Sequence, residues 1–92
     1  MERIIITITE RIYGYSYDLE VPTNLRIDML LDDITQTLMG YNPQYNFNLD
    51  YVQLISRRMN RILSENKTLD EESVWNGDIL ELYERDHIFE FT

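Results

Sequence analysis

Side chains of the types that do chemistry fall into a few groups in this sequence. Asp28, Asp32 and Asp33 would share one side of a helix, and Asp70-Glu71-Glu72 forms a second acidic run. Clustered carboxylates can hold a cation or pass a proton to a substrate. Neither group has His or Cys beside it, and neither follows the Asp-x-Asp-x-Asp-Gly spacing that wraps calcium. They read as a solvated helix face and a helix start, where acidic side chains oppose the positive end of the helix dipole. His87 is the sole histidine and no Ser or Cys motif accompanies it, so it is not taken as a catalytic base. No catalytic residue, cofactor or metal site is assigned. Arg57, Arg58 and Arg61 gather positive charge on or beside one hairpin, serving either solubility or contact with an acidic strip on a partner.

Composition narrows the classes further. The chain has 92 residues, with Lys+Arg 8 against Asp+Glu 17 and a net charge of −9. A single domain of this size buries only about 60–65% of its unfolded surface, which leaves no room for a deep substrate cavity with catalytic machinery. Excess negative charge repels phosphate backbones, so no nucleic-acid partner is expected and a partner with a basic face fits better. With Cys 0, disulfides, cysteine-based zinc sites and thiol nucleophiles are absent. The apolar run from Ile4 to Ile8 is too short and wrongly flanked for a signal peptide or a membrane span. A cytoplasmic protein without membrane insertion is the expectation. At 43% hydrophobic and 27% charged, the chain is too apolar for an acidic disordered tail.

These residues need elements to carry them. Ile4, Ile6 and Ile8 alternate with Ile5, Thr7 and Thr9 in a strand with one buried face. Beyond Gly14, Tyr15, Tyr17, Leu19 and Val21 alternate with polar residues in a second strand that Pro22 ends. Thr23 or Asn24 is placed to cap the helix that follows. Ile27, Leu30, Leu31, Ile34 and Leu38 then make one apolar stripe at helical spacing, with Gly40 as its stop. Residues 41–50 show no period and read as a loop with Phe47 or Leu49 tucked beneath it. Val52, Leu54 and Ser56 give a third strand, Arg58-Met59-Asn60 a hairpin, and Ile62-Leu63 a brief fourth. Asn66-Lys67 is a turn and residues 68–73 a one-turn helix or loop. Asn76-Gly77 is a second turn, before Ile79 to Tyr83 forms the last strand.

A sheet with one apolar face must be covered, so the single helix crosses it. The fold class is therefore α+β: a β-grasp, a mixed sheet of four to five strands with one helix across one face and the first and last strands parallel, which the resemblance given below makes ubiquitin-like. The expected core is Ile4, Ile6, Ile8, Tyr17, Leu19, Val21, Ile27, Leu30, Leu31, Ile34, Leu38, Val52, Leu54, Leu69, Val74, Leu80 and Leu82. The domain is placed at residues 1–85, followed by a tail at 86–92.

Thr68-Leu69, Val74 and Asn76-Gly77-Asp78-Ile79-Leu80-Glu81-Leu82 resemble the closing segment of ubiquitin-like folds. Together with Tyr17-Asp18-Leu19, Val21-Pro22, Leu25, Ile27 and Leu30, they are similar to the EsaB/YukD family over about residues 3–84. That family comprises small bacterial ubiquitin-like proteins encoded with type VII (ESX-type) secretion systems of low-GC Gram-positive bacteria. The resemblance implies an accessory or regulatory protein working by protein–protein contact rather than catalysis. Its implied partner is a component of the secretion machinery, the membrane ATPase or another membrane subunit, which would place the protein peripheral to the membrane. Alternatives are a β-grasp interaction module unrelated to secretion, or a modifier or sulfur carrier. The last needs a terminal Gly-Gly, whereas this sequence ends Ile88-Phe89-Glu90-Phe91-Thr92. Trp75-Asn76-Gly77 is a Trp-x-Gly triplet like that of the helical-hairpin substrates of the same systems. It precedes a strand in a chain without alanine, so it reads as an Asn-Gly turn beside a packed Trp.

Alternation sends Ile5, Ile55, Arg57, Glu81 and Tyr83 to the sheet face away from the helix. In ubiquitin that face carries the apolar recognition patch. Ile5, Ile55, Arg57, Arg58 and Tyr83 are the expected partner-binding residues, a small apolar patch rimmed by charge.

Overall fold

A computed structural model describes residues 2–85. The tail at 86–92, with His87, lies outside the described residues. The chain runs β1 (Arg3–Glu10), β2 (Ser16–Pro22), α1 (Ile27–Tyr41), β3 (Val52–Ser56), β4 (Arg61–Ile62) and β5 (Ile79–Glu84). The strands form one five-stranded sheet in the order β2-β1-β5-β3-β4. β1 and β5 are parallel, with Thr7 beside Ile79 and Glu10 beside Leu82, and every other pairing is antiparallel. This is the β-grasp expected from the change of period between strands and helix.

The alternation of β1 decides which face is covered. Ile4, Ile6 and Ile8 point at α1 and are joined in the core by Val21, Val52, Leu54, Leu80 and Leu82. The helix contributes Ile27, Leu30, Leu31, Ile34 and Leu38, all nearly inaccessible to solvent. Burial of such side chains contributes about 1.5–3 kcal/mol each and is the main stabilising term. Tyr17 and Leu19 are only half-buried, because β2 is an edge strand and its inward side chains border solvent. Tyr45 and Leu63 complete the core, neither included in the sequence expectation.

Both expected helix signals need correction. The N-cap is Arg26, which makes no side-chain cap, and not Thr23 or Asn24. The free N–H groups of the first turn are met by another loop instead: Ile27 donates to the Lys67 carbonyl at 2.8 Å and Asp28 to that of Glu65 at 3.0 Å. Buried Thr23 ties strand to loop, donating from its N–H to Glu2 and accepting from the Asp70 N–H. Gly40 lies within the helix, which ends at Tyr41. Pro43 supplies the stop, since it forces the preceding Asn42 into extended geometry (φ −142°, ψ 104°).

Smaller differences have equally local causes. In the 42–50 loop Tyr45 is the buried residue, with Phe47 packed on it at 5.1 Å between ring centres, whereas Leu49 is exposed. β4 covers Arg61–Ile62, and Leu63 follows it inward, its N–H donating to the Leu54 carbonyl. Thr68 and Glu71 form a reciprocal capping box, each backbone N–H donating to the other's side chain. Trp75 is not packed in the core; it is exposed, and the Arg58 guanidinium lies 3.6 Å from its ring centre.

Candidate functional site

On the face away from α1, Thr9, Glu81 and Ile55 sit side by side across β1, β5 and β3, and Ile62 of β4 pairs with Ile55. Tyr83 stands next along β5, opposite Gln53. β-Branched and aromatic residues hold these strands extended, and the period of two sends every second side chain to this face. The result is a band where Ile55 and Tyr83 are half-buried and Ile62 is exposed.

Glu81 is the electrostatic centre of the band. It accepts from Arg11 of the β1–β2 turn at 2.9 Å and lies 3.8 Å from Arg57. Its side chain is 16% exposed, against 54% and 52% for the two arginines, so the acid is sheltered and the bases project. The Arg11 hydrogen bond holds the Glu81 carboxyl below the usual carboxylate range against the opposing effect of burial, and raises the Arg11 guanidinium in turn. Arg11 also lies 4.8 Å from the Tyr83 ring centre, covering one face of it. The surface therefore offers apolar side chains beside two outward cations on an acidic protein.

Of the expected binding residues, Ile55, Arg57 and Tyr83 come together around Glu81. Ile5 shares the face but is displaced along β1 from Thr9 by about 13 Å at 3.3 Å per residue. There it meets the Asn76-Gly77 turn, its N–H donating to Asn76 Oδ1 at 2.8 Å and its carbonyl accepting from Gly77 at 2.7 Å. Arg58 turns away to Asp78, whose carboxylate takes its Nε at 3.0 Å, and to the Ser73 carbonyl. Burial raises the Asp78 carboxyl, but the Arg58 hydrogen bond and charge and the Trp75 N–H together bring it below its ordinary value. Arg61 pairs with Glu72 at 2.8 Å. Each member of the arginine group thus faces a carboxylate of its own chain.

That pairing also corrects the reading of Glu72 as one acid of a helix-start cluster. Glu72 is buried and accepts from the Ser64 N–H and from Arg61, which together lower its carboxyl against desolvation. Asp28 is bound to Arg26 and to the Met29 N–H, while Asp32 accepts from Gln36. Among the described residues no three His, Cys, Asp or Glu side chains converge as a metal site would require.

A second polar feature escaped the sequence reading. Glu10 is fully buried, and its carboxylate accepts from the N–H groups of Ile12, Tyr13 and Tyr15, closing the β1–β2 turn from inside. Its place in the inward series Ile4, Ile6, Ile8 was the available signal. Beside it Tyr45 shares a 2.9 Å hydrogen bond with Tyr17, and burial followed by that bond pushes the Tyr45 hydroxyl pKa upward.

The sheet order, the single covering helix and the outer face define a ubiquitin-like domain. The ubiquitin-like domain of EccD5 from Mycobacterium xenopi is similar to it with TM-score 0.73 at 16% identity, covering 94% of this chain and 99% of that one. The ubiquitin-like domain of the Mycobacterium tuberculosis type VII secretion system protein ECCD1 gives 0.68 at 20% identity, over 89% and 98%. Caldiarchaeum subterraneum ubiquitin gives 0.65 at 21%, over 92% and 96%. No curated protein sequence matches the chain. Residues 3–82 match the family described as WXG100 protein secretion system (Wss), protein YukD, and the chain belongs to that family. No helix among the described residues is long and apolar enough to cross a membrane.

Proposed function

We propose that the protein is a non-enzymatic accessory or regulatory subunit of a type VII secretion system, acting through protein contact rather than conjugation to targets. Membership of the YukD family and the likeness to the EccD ubiquitin-like domains support the assignment to this machinery. The observation that supports contact is the outer band itself, with Ile55, exposed Ile62 and Tyr83 beside the sheltered Glu81 and the projecting Arg11 and Arg57. Apolar side chains ringed by oriented charge are the anatomy of a modest protein interface. Ile5 extends the surface toward the Asn76-Gly77 turn, and Arg58 supports its margin by holding Trp75. The partner is a membrane component of the apparatus, its ATPase or another subunit, and the protein works in the cytoplasm at the membrane through that contact.

Ile55→Asp and Tyr83→Asp test this reading in producer cells. Both variants should fold with unchanged circular dichroism, accumulate normally and impair secretion. Full secretion with normal accumulation would remove the face from the function. Intact-mass spectrometry of the cellular protein should show no adenylated or thiocarboxylated form, and finding one would revive the modifier reading.

A further inference from the structure

β2 is the long edge of the sheet; the opposite edge, β4, has only two residues. Register fixes which backbone groups of β2 are free. Glu10 donates to the Tyr15 carbonyl and Thr23 to that of Glu2, so Tyr15, Tyr17, Leu19, Val21 and Thr23 form the hydrogen-bonded set with β1. The N–H and C=O groups of Ser16, Asp18 and Glu20 therefore point away from the sheet. Pro22 belongs to this same outward set, which is why a residue without an N–H is tolerated there. Arg3 donates to the Glu20 carbonyl at 3.1 Å and marks one limit of the free edge.

An open groove of about 720 Å³ runs along this edge between β2 and α1. Leu19, Val21, Leu30, Ile34, Thr37 and Tyr41 line it, the buried ones forming its floor. Asp18, Glu20 and Asp33 stand on its rim, with Arg3 the sole base among the lining residues. Unsatisfied strand groups, an apolar floor and an acidic rim each restrict the occupant. The edge asks for extended backbone, because only a strand presents donors and acceptors at matching intervals. Alternate side chains of such a strand fall on the groove side, against Leu19 and Val21, and on the outer side, against Asp18 and Glu20.

We propose that the β2 edge and its groove bind an extended segment of a partner protein in which apolar and basic residues alternate, adding a sixth strand to the sheet. The site is separate from the Glu81 band, so its failure leaves that band untouched. A single partner can span both, since Thr9 at the end of the band pairs with Ser16 of β2.

The full 92-residue chain, labelled with ¹⁵N, tests this by titration with a capped peptide of alternating lysine and valine, seven residues long. A peptide of the same composition with its valines in one block, and an alternating glutamate–valine peptide, serve as comparisons. The alternating basic peptide should slow amide exchange at Ser16, Asp18 and Glu20, shift Leu30 and Ile34, and bind at least about tenfold tighter than either comparison. Asp18→Pro keeps the β1 backbone ladder but removes an outward N–H, a rim carboxylate and the acceptor of the 2.7 Å bond from Thr7 Oγ1, and Thr37→Arg places a cation in the groove. Each should weaken binding about tenfold while the melting temperature changes little. If Asp18→Pro unfolds, Thr37→Arg decides alone. Equal binding of the three peptides, or shifts confined to Ile55, Glu81 and Tyr83, would overturn the proposal. So would protection of the three amides in peptide-free protein. Protection that grows with protein concentration would mean a second copy on the edge; concentration-independent protection would mean the chain's own residues 86–92.

Discussion

Arg11 donates to Glu81 at 2.9 Å across the outer face, joining the β1–β2 turn to the last strand. The same guanidinium lies against Tyr83, so one cation orders both an acid and an aromatic ring of the band. Arg57 reaches the acid from the other side. The outer band is thus organised by a sheltered carboxylate, Glu81, between two projecting guanidinium groups.

Acid should loosen the fold through these pairs. Glu72, Asp78 and Glu81 all have folded carboxyl values below their ordinary ones. Their contribution is full above the unfolded value of about 4 and is lost as pH falls through the folded values. Melting temperature should be flat from pH 7 to about 5 and fall below that. Asp78→Asn should make the acid limb shallower, and an unchanged limb would show that Arg58–Asp78 does not carry the dependence.

Core truncation should be costly. Leu30 and Leu80 sit on opposite sides of the helix–sheet interface and are 1% and 0% exposed. Replacing either with Ala should destabilise by about 2–5 kcal/mol in urea unfolding. A domain this small holds only about 5–10 kcal/mol in total.

The Asn76-Gly77 turn has a backbone requirement rather than a spatial one. Gly77 has φ +89°, and a Cβ there would meet no atom within 4 Å. Gly77→Ala should cost about 1–2 kcal/mol from the left-handed conformation alone. Gly40→Ala, inside the helix with open space around it, should instead stabilise by about 0.5–1 kcal/mol.

Glu10 should prove structural. Glu10→Ala removes the acceptor for three turn amides, and native-state hydrogen exchange should quicken first at Ile12, Tyr13 and Tyr15. The stability loss should be about 1–3 kcal/mol. Protection left intact at those amides would mean that the turn holds without the carboxylate.

The pattern of legible and illegible features follows from range. Period-two and helical spacing record which face is buried, so β1, α1, β5 and most of the core could be read from Ile4, Leu30 or Leu80. Features made by distant partners left no local mark. The helix start at Ile27 is satisfied by carbonyls of Glu65 and Lys67, which no capping rule anticipates. Arg58 and Arg61 looked like free surface cations because Asp78 and Glu72 approach them only after the chain folds. Tyr45 lies in a stretch without period, and its burial depends on Tyr17 and Phe47 closing around it. The outer face was legible as a set of residues but not as a surface, since strand stagger carries Ile5 away from Ile55.

The most direct test of the outer band is affinity capture from gently solubilised producer cells, comparing the tagged native protein with Tyr83→Asp at matched melting temperature. We expect the native protein to recover the secretion ATPase or another membrane subunit of the apparatus, and Tyr83→Asp to lose it. Recovery of the same subunit in equal amount by both proteins would contradict a role for this face in the contact.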